Sequence, residues 1–144
     1  DGAIPTHCLH RLHRPEPRVE LGQHLNALAS AAIDISDGLE ADLNHILLSS
    51  QVAAEVELAK LPVCTHLKTL ENKNLLWQLA LAAGDDYELC FTLSQENKAE
   101  LERRCKDLDY PLSCIGSIVE GKGVRWLEEG GAEVKMDIQG FRHF

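Results

Sequence analysis

The sequence predicts an α+β fold, a mostly antiparallel sheet with helices packed on it. Three observations carry this. Segments of two-residue alternation follow segments with a helical stripe along the whole chain. The last quarter holds short strand-like runs separated by the glycine turns Gly121-Lys122-Gly123 and Glu129-Gly130-Gly131, as in hairpins. With 144 residues, 44% apolar and 26% charged, the chain has the size and composition of one globular domain with one core.

The elements follow in order. Residues 1–18 read as an interdomain linker or its remnant, because Pro15 and Pro17 oppose regular structure and stiffen the segment. Residues 19–144 read as the domain. Val19 to Ser30 is expected to be helical, with Leu21, Leu25 and Leu28 on one face. Ala31 to Ile35 reads as a short buried strand, broken by Ser36-Asp37-Gly38. Leu39, Leu43, Ile46 and Leu47 then form a helical stripe, with Ser36 or Asp37 as its N-cap. Val52 to Leu58 is a strand, and Asn74 to Ala83 a helix with Gly84 as its C′ residue. Tyr87, Leu89, Phe91 and Leu93 alternate with more polar residues and predict a strand with one apolar face. Ser94 is placed to cap a helix reaching about Leu108, and strands are expected at Leu112–Val119, Val124–Leu127 and Glu133–Met136.

Composition excludes some classes of function. A net charge of −9 argues against nucleic-acid or anionic-membrane partners, which select a basic face. It does not oppose a phosphorylated substrate, since Mg²⁺ bridges carboxylates to phosphates. The chain begins Asp1-Gly2-Ala3, with neither an initiating Met nor a signal peptide, as expected of a piece of a longer protein. The five cysteines are scattered and include no C-x-x-C pair, so neither a disulfide framework nor a zinc knuckle fits, and a reducing cytoplasm is expected. Cys90 and Cys114 fall in strands, as small hydrophobes. His7, His10 and His13 lie three apart and would share a face if helical, but in a proline-rich linker they read as loop histidines. Trp77 and Trp126 read as packing residues.

Two constellations carry chemistry. In Asp34-Ile35-Ser36-Asp37-Gly38, strand alternation sends Asp34 and Ser36 to one side, and Asp37 sits at the start of the next helix. Hard oxygens suit Mg²⁺, and a helix N-terminus suits phosphate. Helix capping explains Ser36 and Asp37 equally well, but not Asp34, whose carboxylate is costly inside an apolar strand. In Gly84-Asp85-Asp86-Tyr87-Glu88-Leu89, adjacent acids follow a helix C-terminus, where the macrodipole disfavours them by roughly 0.3–1 kcal/mol. The alternatives are a solvated acidic turn and a binding loop.

Ile33-Asp34-Ile35-Ser36-Asp37-Gly38-Leu39, Ala83-Gly84-Asp85-Asp86-Tyr87-Glu88-Leu89-Cys90-Phe91 and Cys114-Ile115-Gly116 resemble, in order and spacing, the motifs of the thiamine-monophosphate kinase family. The linker Arg14-Pro15-Glu16-Pro17-Arg18 and the ending Gly140-Phe141-Arg142-His143-Phe144 are similar to that family too. The Ser-Asp-Gly turn alone is shared with a wider superfamily of ATP-using synthases. Half of such a synthase, against which the Gly-Asp-Asp-Tyr-Glu-Leu stretch discriminates, and a non-catalytic phospholigand module are the alternative readings. The family usually carries Glu where this chain has Asp85, one carbon shorter.

The resemblance implies a two-domain, homodimeric enzyme that transfers the γ-phosphoryl group of ATP to thiamine monophosphate. This chain would be its C-terminal domain, related to that of aminoimidazole-ribonucleotide synthase. The absent N-terminal domain would supply most Mg²⁺ ligands and much of the ATP site, leaving the chain alone inactive. By motif position, Asp34 and Asp37 would bind Mg²⁺, Ser36 would contact ATP, and Asp85 and Phe141 would contact thiamine monophosphate. A carboxylate and an aromatic face suit a cationic thiazolium, although Phe141 also fits as a terminal core residue.

Overall fold

Helical stripes and alternating segments resolve into six α-helices and six strands over residues 6–136, the residues described by the structure, a computed structural model. Helix α1 spans Thr6–His13 and α2 spans Val19–Leu25. Strand β1 is Ala29–Asp34, α3 is Leu39–Ser50 and β2 is Ala53–Glu57. After α4 (Thr65–Lys68) and α5 (Lys73–Ala82) come β3 (Leu89–Leu93) and α6 (Lys98–Arg104). The chain continues through β4 (Gly116–Val119), β5 (Gly123–Leu127) and β6 (Glu133–Val134). Among the described residues no helix is long and apolar enough to cross a membrane.

The strands form two sheets. β1 and β3 pair antiparallel, with Ile33 opposite Cys90 and Asp34 opposite Leu89. The second sheet runs β4-β2-β5-β6 and contains the one parallel pairing among the described residues, β2 with β5. The expected α+β class and predominantly antiparallel pairing are borne out.

The main core fills the space between α3, α5 and the sheets. It unites Leu39, Leu43, Ile46 and Leu47 with Ala54, Val56, Leu81, Cys90 and Trp126, and Trp77 packs against it. A second cluster joins Leu21, Leu25 and Leu28 to Leu101 and Cys105, and takes Leu89, Phe91 and Leu93 from β3. Alternation along β3 thus divides its side chains between two cores, instead of giving one apolar and one solvated face.

Several expectations need correction. The prolines at 15 and 17 do not keep the whole leading segment irregular, since α1 is complete before them. His7, His10 and His13, expected in a loop, lie instead within α1. Helix α2 stops at Leu25, because Ala27 turns left-handed at φ 61° and sends the chain into β1. Gly121-Lys122-Gly123 does not close a hairpin between β4 and β5, which lie on opposite sides of β2. The connection passes over the start of β2, where a Cβ on Gly121 would stand 3.4 Å from that of Ala53. Ser94 opens a 3₁₀ turn at Gln95–Asn97 without a side-chain cap bond, and α6 ends at Arg104. Cys114 is exposed, ahead of β4.

Candidate functional site

The two acidic constellations, some fifty residues apart in sequence, are laced into one structure by main-chain hydrogen bonds. Pairing between β1 and β3 continues beyond both strand ends. Ile35 N–H donates to the Glu88 carbonyl at 2.8 Å, Tyr87 N–H to the Ile35 carbonyl at 2.9 Å, and Asp85 N–H to the Ser36 carbonyl at 2.9 Å. The close approach requires glycine at 84, where a Cβ would fall 2.0 Å from the Ser36 carbonyl oxygen. Gly84 does not act as a left-handed helix cap; α5 is capped by Ala83 in extended conformation. Gly38, at φ 111°, brings the start of α3 against the end of α5, where a Cβ would meet the Leu81 carbonyl oxygen at 2.8 Å.

The second loop is strained. Asp85 (φ 65°) and Tyr87 (φ 51°) both occupy the left-handed region. Such positions cost non-glycine residues of order 1 kcal/mol or more, are easier for Asp than for most, and cluster at ligand sites.

Strand β1 is not buried on both faces as its apolar run suggested. Its residues alternate between half-buried and exposed, and Asp34 is on the exposed side. A two-stranded sheet leaves part of each face open, so Asp34 carries no burial penalty. Ser36 and Asp37 are half-buried. Neither caps α3; Gly38 holds the N-cap position without a side-chain bond.

Asp42, in the first turn of α3, holds the turn instead. It is 3% exposed, and its Oδ2 accepts the Ser36 N–H at 2.9 Å and the Asp37 N–H at 3.0 Å. Those two amides are therefore taken by an internal carboxylate and are not offered to a phosphate. Asp42 escaped the reading of the sequence, yet it carried a signal: it lies three residues after Leu39 and next to Leu43, at a buried position of the helical stripe. Burial, and then the Asp42 charge, push the thiol of Cys90 up to about 11, consistent with its role as a core hydrophobe.

The acids of the second loop differ in environment. Asp85 is exposed, 3.4 Å from the Tyr87 hydroxyl that donates to it. Asp86 is exposed as well, but desolvation of its carboxyl, and then the neighbouring charges of Glu88 and Asp85, push that group up to about 6, against the pull of Arg11. Burial also opposes ionisation of Glu88, but hydrogen bonds from Arg18 and Arg11 outweigh it and hold this carboxyl below its ordinary range. The structure thus brings Asp34, Ser36, Asp37 and Asp85 to one end of the β1–β3 sheet. Phe141 lies outside the described residues.

No described family profile matches the chain. Curated relatives do. Thiamine-monophosphate kinase of Haemophilus influenzae is 48% identical over 134 residues, which are 91% of this chain and 41% of that protein. Among solved structures, thiamine-monophosphate kinase from Stenotrophomonas maltophilia is 47% identical and superposes with a TM-score of 0.74 over 81% of this chain and 37% of that one. A structure described as AaThiL complexed with AMPPCP and TMP is 30% identical, with a TM-score of 0.72 over 100% of this chain and 44% of that chain. The chain therefore spans less than half the length of the relatives it matches. By sequence along nearly all its length, and by fold, it belongs to the thiamine-monophosphate kinases, as the C-terminal part of that protein.

Proposed function

We propose that the full-length protein carrying this chain transfers the γ-phosphoryl group of ATP to thiamine monophosphate, forming thiamine diphosphate. In this reading the chain supplies one wall of the site, and the segment 1–18 joins it to a preceding domain that holds most of the ATP and metal ligands. The observation that carries the reading is the lacing of Ile35-Ser36 to Asp85–Glu88, which turns two separate acidic motifs into one surface. The match to a solved relative described with AMPPCP and TMP supports the ligand classes. A homodimeric full-length enzyme in the cytoplasm completes the proposal, its location supported by Cys64, Cys90, Cys105 and Cys114, which form no disulfide in the structure.

Phosphoryl transfer needs positioning and charge neutralisation more than covalent chemistry. Asp34 and Asp37 provide hard carboxylate oxygens, the donor type Mg²⁺ prefers, and two are enough where phosphate and water complete the shell. Mg²⁺, when bound, would neutralise charge on the transferring phosphoryl group. Ser36 presents a hydroxyl beside these acids, for ATP. Asp42 keeps the Ser36-Asp37 turn in place by binding its amides. Asp85, exposed and anionic, is placed to meet the cationic thiazolium.

The direct test is an assay of ATP-dependent conversion of thiamine monophosphate. The full-length protein should turn over and this chain alone should not. Turnover by the isolated chain would disprove the two-domain reading, and none by the full-length protein would disprove the activity.

A second test isolates Asp85. Asn is the informative replacement, because it tolerates the left-handed backbone as Asp does and removes only the charge. Asp85→Asn should raise KM for thiamine monophosphate roughly tenfold or more, the scale of one lost charge-assisted contact, and leave KM for ATP within about twofold. An equal rise in both constants would move Asp85 to the metal or the fold. Asp85→Glu, with the family's usual residue, should retain turnover.

A further inference from the structure

Glu88 is the centre of a four-residue cluster that ties three remote segments to the strained loop. Arg18, at the entrance to α2, grips it bidentately, Nε to Oε2 at 2.8 Å and Nη2 to Oε1 at 2.7 Å. Arg11 of α1 adds Nη2 to Oε1 at 2.6 Å and reaches the Asp86 carbonyl oxygen at 3.4 Å. The Arg18 guanidinium lies 4.1 Å from the ring centroid of Tyr110, between α6 and β4. The Arg18 side chain is only 10% exposed, in contrast to an ordinary surface ion pair.

The cluster adjoins Tyr87 and is three residues from Asp85, the two left-handed positions of the loop. Strained backbone persists only where its surroundings over-determine it. Main-chain bonds to Ile35 and Ser36 hold one side of this loop. The Glu88 side chain anchors its end from the other.

We propose that the Arg18–Glu88 pair, seated on Tyr110 and joined by Arg11, is a clasp that fixes the Gly84–Glu88 loop in its binding geometry, making Arg18 and Glu88 positioning residues for thiamine monophosphate through Asp85. The inference rests on the functional reading above and adds to it a role for the segment before α2. That segment is a structural part of the site, held to it by two arginines. Lys cannot replace Arg18 here, because the contact is both bidentate and stacked.

The test uses the full-length protein with Arg18→Lys, Arg18→Gln, Glu88→Gln and the double variant Arg18→Gln/Glu88→Gln. Two quantities are read: both Michaelis constants, and amide hydrogen exchange at Asp85 and Tyr87 against the core amides of Leu43 and Leu47. Each single variant should raise KM for thiamine monophosphate roughly tenfold with that for ATP within about twofold, and the double variant should be no worse than the worse single one. Exchange at Asp85 and Tyr87 should quicken by about tenfold while Leu43 and Leu47 keep wild-type protection. Unchanged exchange at the loop overturns the clasp. Acceleration throughout the core makes the pair a general fold contact and overturns it also, with Glu88→Gln, the near-isosteric change, deciding if the Arg18 variants fold poorly. A local exchange response without a change in KM overturns the positioning role. Variants that show the exchange response in a protein whose wild type does not phosphorylate thiamine monophosphate refute the functional reading and leave the clasp standing.

Discussion

Asp37→Asn in the full-length protein should lower turnover by roughly two to three orders of magnitude, equivalent to about 3–4 kcal/mol of transition-state stabilisation, the scale of a lost metal ligand. Its melting temperature should stay within about 2 °C of wild type, as for a substitution costing well under 1 kcal/mol. The separation of the two effects follows from how the turn is held. One contribution of Asp37 to the turn is its main-chain N–H, which donates to Asp42 at 3.0 Å, and Asn keeps that N–H. Half-buried Asn is the same size as Asp and retains hydrogen-bonding ability. The substitution therefore removes the charge while keeping the size and a hydrogen-bonding side chain. Steady-state kinetics across a Mg²⁺ titration, with calorimetry alongside, check the result. Turnover near wild type at saturating Mg²⁺ would remove Asp37 from the metal, and a large fall in melting temperature would reassign it to the fold.

The contrast between Asp37 and Asp42 shows what was legible in the sequence. The Ser-Asp-Gly turn announced itself by residue type, and its helix by the apolar stripe of Leu39, Leu43, Ile46 and Leu47, all buried. The residue that fixes the turn is a buried acid on that stripe, and an attention to apolar periodicity passes over it. Residue type also suggested that Ser36 or Asp37 would cap α3, whereas tertiary structure gave the capping position to Gly38, where α3 has to approach the end of α5.

Long-range partners were less legible still. Nothing local in Arg11 or Arg18 signals a carboxylate at position 88, and their segment read as a proline-stiffened linker. The order β4-β2-β5-β6 has the same origin: turn chemistry marks where the chain reverses, but not that β2 lies between the two arms. The apolar run of β1 suggested a buried strand, while its actual exposure depends on having β3 as its one partner among the described residues. At the acids behind the helix end, the expected cost was one of charge against the helix dipole. The loop is costly, and its cost is visible in two left-handed residues rather than in the helix dipole alone.

The lacing of the two motifs makes Gly84 the position where a single methyl group should do most damage. A Cβ there would lie 2.0 Å from the Ser36 carbonyl oxygen and 3.0 Å from its carbon, both backbone atoms that cannot rotate away. Gly84→Ala must therefore separate the segments, breaking the bond from Asp85 N–H to the same Ser36 carbonyl and straining that from Tyr87 N–H to Ile35. Over-packing of this kind costs about 1–3 kcal/mol, and each hydrogen bond lost adds about 1 kcal/mol. The melting temperature should fall by about 5–10 °C. Binding of thiamine monophosphate should weaken more than the stability loss alone would produce, since Asp85 moves with the loop. Gly22→Ala is the control. It lies within α2, its added Cβ would meet nothing nearer than Leu89 Cδ1 at 3.9 Å, and its φ is not positive. That variant should be neutral or more stable by about 0.5–1 kcal/mol, as Gly to Ala is in a helix interior. Thermal unfolding of the two variants side by side, with amide exchange at Asp85, distinguishes the outcomes. Equal melting temperatures for Gly84→Ala and wild type would mean that the Ser36 and Asp85 segments are not in contact, and the single acidic surface would dissolve into two unrelated loops.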